Sequence, residues 1–182
     1  MQDRKRYSLV MKILHWGMAL AFVGLYAVAY IMQDMNNSPE KFQLYGLHKS
    51  VGITILVLVL IRFFYRIVHG VPAISKNLSP LWNLAARLGH YSLYLLMVLM
   101  PLSGYLMSSA GGHSVSYFGF FQVPLLLQKN PALGGFFHES HEILSYVIYG
   151  LVTVHVIMAL VHHFILKDDT LTRMTWGNKN RF

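Results

Sequence analysis

The chain has 182 residues, of which 55% are hydrophobic and only 12% are charged, and it contains ten histidines and no cysteine. Soluble domains carry about 25% charged residues, so this composition excludes an ordinary soluble domain, and it also excludes disorder. The lack of cysteine excludes disulfides, zinc–thiolate sites, iron–sulfur clusters and covalently attached c-type haem. An apolar, basic and histidine-rich chain of this length indicates a single membrane domain, residues 1–182, with metal or proton chemistry.

Four apolar stretches are long enough to cross a bilayer, which takes about 20 helical residues. They run over residues 9–32, 45–67, 89–107 and 138–166. No stretch shows the alternating pattern of an outer-membrane barrel strand. We therefore predict an all-α membrane protein, a bundle of four transmembrane helices. The first stretch imitates a signal peptide, since it includes Ala27-Val28-Ala29, but its length and His15 favour a span that is kept.

Lysine and arginine are distributed unevenly around these spans. Twelve of the fifteen lie in the N-terminal flank, the second connection or the tail, namely Arg4, Lys5, Arg6, Lys12, Arg62, Arg66, Lys76, Arg87, Lys167, Arg173, Lys179 and Arg181. The positive-inside rule then predicts that both termini and the second connection are cytoplasmic. The net charge of +8 thus reflects topology. Nucleic-acid binding is not expected, because no basic patch is interleaved with aromatic residues.

The connections between the spans differ in length. Residues 33–44 and 69–86 are predicted to be loops that contain Pro39, Pro72 and Pro80. Residues 108–137 form the longest connection, and its apolar part, from Tyr117 to Leu127, is expected to lie against the outer membrane surface as a lid. Pro101 falls inside the third span and predicts a kink there.

Ionisable residues inside a membrane are costly and by default indicate function. Seven of the ten histidines lie in or at the edge of the spans, namely His15, His48, His90, His141, His155, His162 and His163. In a helical fourth span, His141 and His155 share one face and lie about 21 Å apart.

Depth along the spans pairs these histidines with histidines of other helices. His48 matches His141 at the outer end, and His15 matches His155 on the inner half. His90 and His162 are predicted to share a shallower level at the cytoplasmic face, and they compete for the inner pairing. For each histidine taken alone, a hydrogen-bonded packing role stays the alternative.

Two imidazoles that face each other across a four-helix bundle have the arrangement that bis-histidine haem ligation requires. Two such pairs predict two haems, close enough for electrons to cross the membrane. Small residues that make room for them are Gly17, Gly24, Gly46, Gly52 and Gly150. Arg62 and Arg66 are expected to extend to lipid headgroups, with a haem propionate as the alternative. A metal transporter without haem is the other hypothesis, although the spans lack the carboxylates that such sites normally include.

Several short motifs occur in a specific order and spacing. They are His15-Trp16, Leu47-His48-Lys49-Ser50-Val51-Gly52, Leu88-Gly89-His90, Pro101-Leu102-Ser103-Gly104, His141-Glu142, His155, Leu160-Val161-His162-His163 and the tail from Lys167 to Met174. In this order the sequence resembles the bacterial cytochrome b561 family over nearly the whole chain. The resemblance implies a four-helix inner-membrane protein with two b haems. It further implies that His15 and His155 hold the inner haem, and that His48 and His141 hold the outer one.

The resemblance also implies an activity, that of a superoxide oxidase, which passes electrons from periplasmic superoxide to ubiquinone. His90 and His162 are then the candidates for contact with ubiquinone. Lys49, beside His48, is the candidate that attracts the superoxide anion. The alternative is an electron-transfer subunit that links a partner dehydrogenase or hydrogenase to quinone. In that case the outer loop is a docking surface for a periplasmic redox protein.

Overall fold

A computed structural model describes residues 6–72 and 79–176. Its elements are α1 (Leu9–Asp34), α2 (Pro39–His69), α3 (Pro80–Ala110), β1 (Val115–Tyr117), β2 (Phe121–Val123) and α4 (Pro131–Phe164). The four helices are all long and apolar enough to span a membrane, which confirms the predicted all-α architecture. Five of the basic residues behind the topology prediction lie outside the described residues, namely Arg4, Lys5, Lys76, Lys179 and Arg181.

Three helices begin earlier than predicted. The capping side chains of Ser38, Ser79 and Asn130 each accept a hydrogen bond from the backbone N–H three residues later, and a proline follows each cap. A capping side chain followed by proline is a strong helix start, because proline lacks the N–H that would have no partner there. The predicted starts at residues 45, 89 and 138 are therefore wrong by six to nine residues. The predicted ends agree within three residues, and α3 continues through Pro101.

The bundle is built from consecutive helices that pack against each other, α1 on α2, α2 on α3 and α3 on α4. A buried cluster of Met18, Val59 and Tyr94 joins α1, α2 and α3. Helices α1 and α4 meet where the rings of Tyr26 and Tyr149 stack with centroids 5.0 Å apart. Many large apolar side chains point outward along all four helices, and in a membrane they face lipid.

The long third connection is folded onto the helices and includes an antiparallel hairpin of β1 and β2. Ser50 Oγ of α2 accepts a hydrogen bond from the Phe118 N–H at 3.0 Å. Ser109 Oγ of α3 accepts two more, from the N–H groups of Leu126 and Leu127, each at 2.8 Å. The connection predicted to be a lid is therefore anchored to α2, three turns inside the helix, and to the end of α3.

The segment after α4, residues 165–176, folds back over the start of α1. Trp16 Nε1 donates a hydrogen bond to the Met174 carbonyl at 3.0 Å. The buried Lys12 donates from Nζ to the Thr175 carbonyl at 2.8 Å. The two described ends of the chain consequently lie at the same end of the bundle, as four spans require.

Candidate haem-binding site

The first histidine pair lies near the hairpin end of the bundle. His48 of α2 faces His141 of α4, with ring centroids 6.2 Å apart and ring planes at 75°. His141 Nδ1 lies 3.0 Å from the Met100 carbonyl oxygen and 3.0 Å from Ser103 Oγ. A carbonyl oxygen only accepts hydrogen bonds, so this environment favours the proton on Nδ1 and leaves Nε2 free to bind a metal.

Helix α3 packs directly on the His141 imidazole at Gly104. A Cβ at this position would lie 2.9 Å from His141 Cε1, which is too close for a stable contact. Glycine is therefore required here by close approach. In the sequence, Ser103 and Gly104 stand out only as part of the motif that begins at Pro101. Their contact with His141 joins residues almost forty positions apart, and no local sequence pattern predicts such a contact.

A cavity of about 670 Å³ adjoins the first pair. Residues of all four helices line it, and Val115 of β1 closes part of it, so the hairpin contributes to the site. The predicted Lys49 lies at this cavity together with Lys41. Sequence reasoning missed Lys41, although its position seven residues before His48 puts both on one face of α2. Five glycines were predicted to make room for the haems. A Cβ added at any of them would have no neighbouring atom within 4 Å, apart from the adjacent residues and the backbone of its own helix.

The second pair lies deeper in the bundle, toward the start of α1. The centroids of His15 and His155 are 6.2 Å apart, with ring planes at 67°. His90 of α3 also packs against His155, with centroids 5.7 Å apart. The prediction that His90 shares the level of His162 is therefore wrong. Because α3 begins at Pro80, His90 lies ten residues inside the helix, whereas His162 is two turns beyond His155 on α4.

Two arginines of α2 lie against Tyr94 of α3, one turn beyond His90. The Cζ atoms of Arg62 and Arg66 lie 5.6 Å and 5.8 Å from the ring centroid of Tyr94. The Nε atom of Arg62 is buried inside the bundle. Arg62 lies two turns before the end of α2, and the burial of its Nε favours the alternative of a haem propionate over extension to lipid headgroups.

His162 pairs with the folded-back tail. Its Nδ1 lies 2.5 Å from Asp168 Oδ2, and both side chains are largely buried. Burial alone would raise the pKa of Asp168, but hydrogen bonds from His162 and Thr170 outweigh it and hold that pKa below its usual value of 3.8. Sequence reasoning missed this partner, since a contact made by a turn after a helix leaves no periodic pattern.

We expect the Asp168→Asn variant to lose stability at neutral pH and to show a weaker dependence of stability on acid. A carboxyl whose pKa is lowered by folding stabilises the protein above its usual pKa, and this contribution disappears as the pH falls through the lowered value. A hydrogen bond to a charged group contributes about 1.5–3 kcal/mol. Thermal unfolding in detergent, recorded from neutral pH to below pH 3.8, measures the pH dependence of stability in the variant and the wild type.

Asp169→Asn is the matched control. Asp169 is half-exposed and pairs with Arg173 at 2.9 Å. Exposed ion pairs contribute little to stability, so this variant should keep the wild-type pH dependence. Equal behaviour of the two variants would contradict a special role of Asp168.

The sequence matches the family described as prokaryotic cytochrome b561 over residues 6–177. The chain belongs to this family. It is 37% identical over 177 residues to "Cytochrome b561 homolog 2" of Escherichia coli (strain K12), which covers 93% of this chain and 91% of the relative. It is 31% identical over 173 residues to "Probable superoxide oxidase CybB" of Yersinia pestis, covering 93% and 96%. It is also 31% identical over 184 residues to "Cytochrome b562" of Cereibacter sphaeroides, covering 96% and 98%.

Membership of the cytochrome b561 family confirms the resemblance and establishes membrane electron transfer by a multi-pass protein. The family implies b-type haem and redox activity. Within the described ranges, no three His, Cys, Asp or Glu side chains form a group that could hold a metal ion. A b-type haem supplies four nitrogen ligands itself, so a pair of histidines could hold it without a larger cluster of metal ligands. The family therefore argues against the metal-transporter hypothesis.

Proposed function

We propose that this protein binds two b haems, one between His48 and His141 and the other between His15 and His155. The observation that carries the proposal is the equal centroid separation of 6.2 Å in the two pairs. Two imidazoles bound to one metal ion from opposite sides have centroids roughly 6.2 Å apart. This sum follows because each metal–nitrogen bond is about 2.0 Å and each nitrogen lies about 1.1 Å from its ring centre. The residues present thus fit the group that the family implies.

Two further features support this assignment. The cavity of about 670 Å³ beside His48 and His141 falls within the range of about 300–1,000 Å³ that is usual for ligand sites. At the inner level, the centroids of His90 and His155 are 5.7 Å apart, whereas those of His15 and His155 are 6.2 Å apart, as in the outer pair. The equal separation in the two pairs therefore favours His15 as the partner of His155.

A bis-imidazole haem takes up and releases one electron at a time when it is bound. Helix α4 contributes one histidine to each proposed site and so keeps the two sites at a fixed separation for electron transfer across the membrane. The ligands on α4 are fourteen residues apart, which is about 21 Å of helix. At the outer site, the Met100 carbonyl and Ser103 hold the His141 imidazole in one orientation, as partners beyond the metal ligands generally do.

The reaction that we infer is superoxide:ubiquinone oxidoreduction. Two superoxide anions are oxidised to dioxygen, and one ubiquinone takes up the two electrons and two protons to become ubiquinol. Similarity to a relative named probable superoxide oxidase supports this reaction. Lys49 and Lys41, which line the outer cavity, supply positive charge that attracts a small anion. The inferred topology puts this cavity on the periplasmic side of a bacterial inner membrane, with both termini cytoplasmic.

We assign the ubiquinone contact to His162 at the opposite end. Its Nδ1 is paired with Asp168, so Nε2 remains for a hydrogen bond to a quinone carbonyl and for proton transfer. His90 was the other candidate, but it packs against His155 and is therefore the weaker one.

An electron-transfer subunit is the second candidate function. The observation that favours it is the apolar tip of the hairpin, where Phe120 is 83% exposed and Phe121 is 58% exposed. Such a tip, next to the outer cavity, is suited to docking a periplasmic redox protein or a partner dehydrogenase or hydrogenase.

Purified protein in detergent separates these functions. We expect a pyridine haemochrome assay to give two b haems per chain. We also expect a superoxide pulse to reduce them at a rate near the diffusion limit of about 10⁸–10⁹ M⁻¹s⁻¹ and added ubiquinone to reoxidise them. Two haems that superoxide leaves oxidised would favour the electron-transfer subunit. A protein without haem would overturn both functions.

A further inference from the structure

A concentration of positive charge lies beside the inner histidine pair. Arg62 follows His48 by fourteen residues on α2, so it lies on nearly the same interior face, about 21 Å further along the helix. This is the level of His15 and His155, since His155 likewise follows His141 by fourteen residues on α4. Helix α2 thus presents a histidine to one level of the bundle and an arginine to the other.

Two polar atoms at this arginine have no hydrogen-bond partner among the described residues. Arg62 and Arg66 both lie against the ring of Tyr94, which brings two cations together. The Nε of Arg62 and the hydroxyl of Tyr94 are buried without hydrogen bonds in the described part of the chain. Like charges repel, and buried polar groups without partners are strongly unfavourable. The arrangement is therefore suited to bind an anion that has hydrogen-bond acceptors.

Acidic side chains of the described residues do not supply this anion. Asp168 and Asp169 pair with His162 and Arg173. The others lie toward the opposite ends of the helices, namely Asp34, Glu40, Glu139 and Glu142. Within residues 6–72 and 79–176, therefore, no carboxylate serves as the counter-ion, and the site is suited to an anionic group of a bound molecule.

We propose that Arg62, together with Arg66 and the hydroxyl of Tyr94, binds a propionate carboxylate of the haem held by His15 and His155. The inference rests on the proposed function, because it assumes a haem at this pair. Arginine binds carboxylates through two parallel hydrogen bonds, and Tyr94 adds a third donor. A phospholipid phosphate offers similar oxygens, but Arg62 lies beside the histidines inside the bundle.

The primary test is a redox titration of the haem-loaded protein in nanodiscs of zwitterionic lipid. We expect Arg62→Gln to favour the oxidised form of one haem by about tenfold, which is about 59 mV lower in midpoint potential for one electron. The reason is that a nearby positive charge favours the reduced form, and its loss leaves the propionate uncompensated. The exposed Arg87 of α3 gives the matched control, Arg87→Gln, which should leave both potentials unchanged.

Infrared difference spectra with ¹³C-labelled haem propionates provide the second readout. Arg62→Gln and Tyr94→Phe should each shift a labelled carboxylate band. Arg62→Lys covers the case in which the glutamine variant does not fold. It keeps the charge but loses the two parallel hydrogen bonds, so it should shift the band with little change in potential.

Three results would overturn the inference. Unmoved labelled bands and potentials in a protein with two haems would overturn it and leave the proposed function intact. Labelled carboxylate bands that stay unchanged while a lipid phosphodiester band shifts in Arg62→Gln would identify a lipid phosphate as the counter-ion. A protein without haem would overturn the proposed function, and this inference with it.

Discussion

Replacement of His48 by leucine should reduce the haem content from two per chain to one. The outer iron would keep a single protein ligand, His141, while the pair of His15 and His155 is untouched. His48 and His141 are 6.2 Å apart across the bundle, so no other position on α2 can restore the contact without moving the helix. The pyridine haemochrome assay per chain and the optical redox titration measure the loss, which should remove one of two titration steps.

His69→Leu is the matched control on the same helix. His69 is exposed and stacks on Tyr65, with centroids 3.9 Å apart, so its loss should leave both haems in place. Loss of both haems, or of neither, in His48→Leu would contradict independent sites.

At the inner site, two histidine variants can be compared. His15→Leu should remove one haem, whereas His90→Leu should keep two, because the geometry favours His15 as the partner of His155. The reverse result would assign the inner ligand to α3.

Gly104→Ala should disturb the outer site selectively. The added methyl group would lie 2.9 Å from Cε1 and 3.1 Å from Nδ1 of His141. The imidazole cannot move away freely, because its Nδ1 is held by Met100 and Ser103. Overpacking of this kind costs typically about 1–3 kcal/mol. We expect a lower melting temperature and a changed content or potential of one haem, measured by thermal unfolding and redox titration.

Gly89→Ala provides the control on the same helix. A Cβ at Gly89 meets nothing within 4 Å. Alanine is a better helix former than glycine by about 1 kcal/mol, so this variant should be neutral or slightly stabilising. A Gly104→Ala protein that behaves like Gly89→Ala would show that His141 can adopt another position without cost.

The helix starts depend on capping residues as well as on the apolar pattern of the spans. The apolar runs located every span, because about 20 apolar residues are needed to cross a bilayer whatever the fold. They placed the starts of α2, α3 and α4 too late, because polar first turns extend beyond the apolar run. Ser38-Pro39, Ser79-Pro80 and Asn130-Pro131 carried the missing information, since a capping side chain followed by proline starts a helix.

The sequence by itself determined what depends on periodicity along one helix. The four spans follow from apolar length, and the shared face of His141 and His155 follows from a spacing of fourteen residues. Matching depth in antiparallel helices paired His48 with His141. At the inner level it left His90 and His162 as competitors, and the family resemblance implied His15 with His155. The rings of each pair lie 6.2 Å apart.

Tertiary structure alone decided the contacts that depend on the offset between helices or on the path of a turn. His90 lies against His155 instead of beside His162, because α3 starts nine residues earlier than its apolar run. Asp168 reaches His162 because the chain turns back after α4. Arg62 meets Tyr94 because α2 and α3 pack at that height. The spacing of residues determines which face of one helix they share. The vertical offset between two helices is set instead by the packing of their side chains.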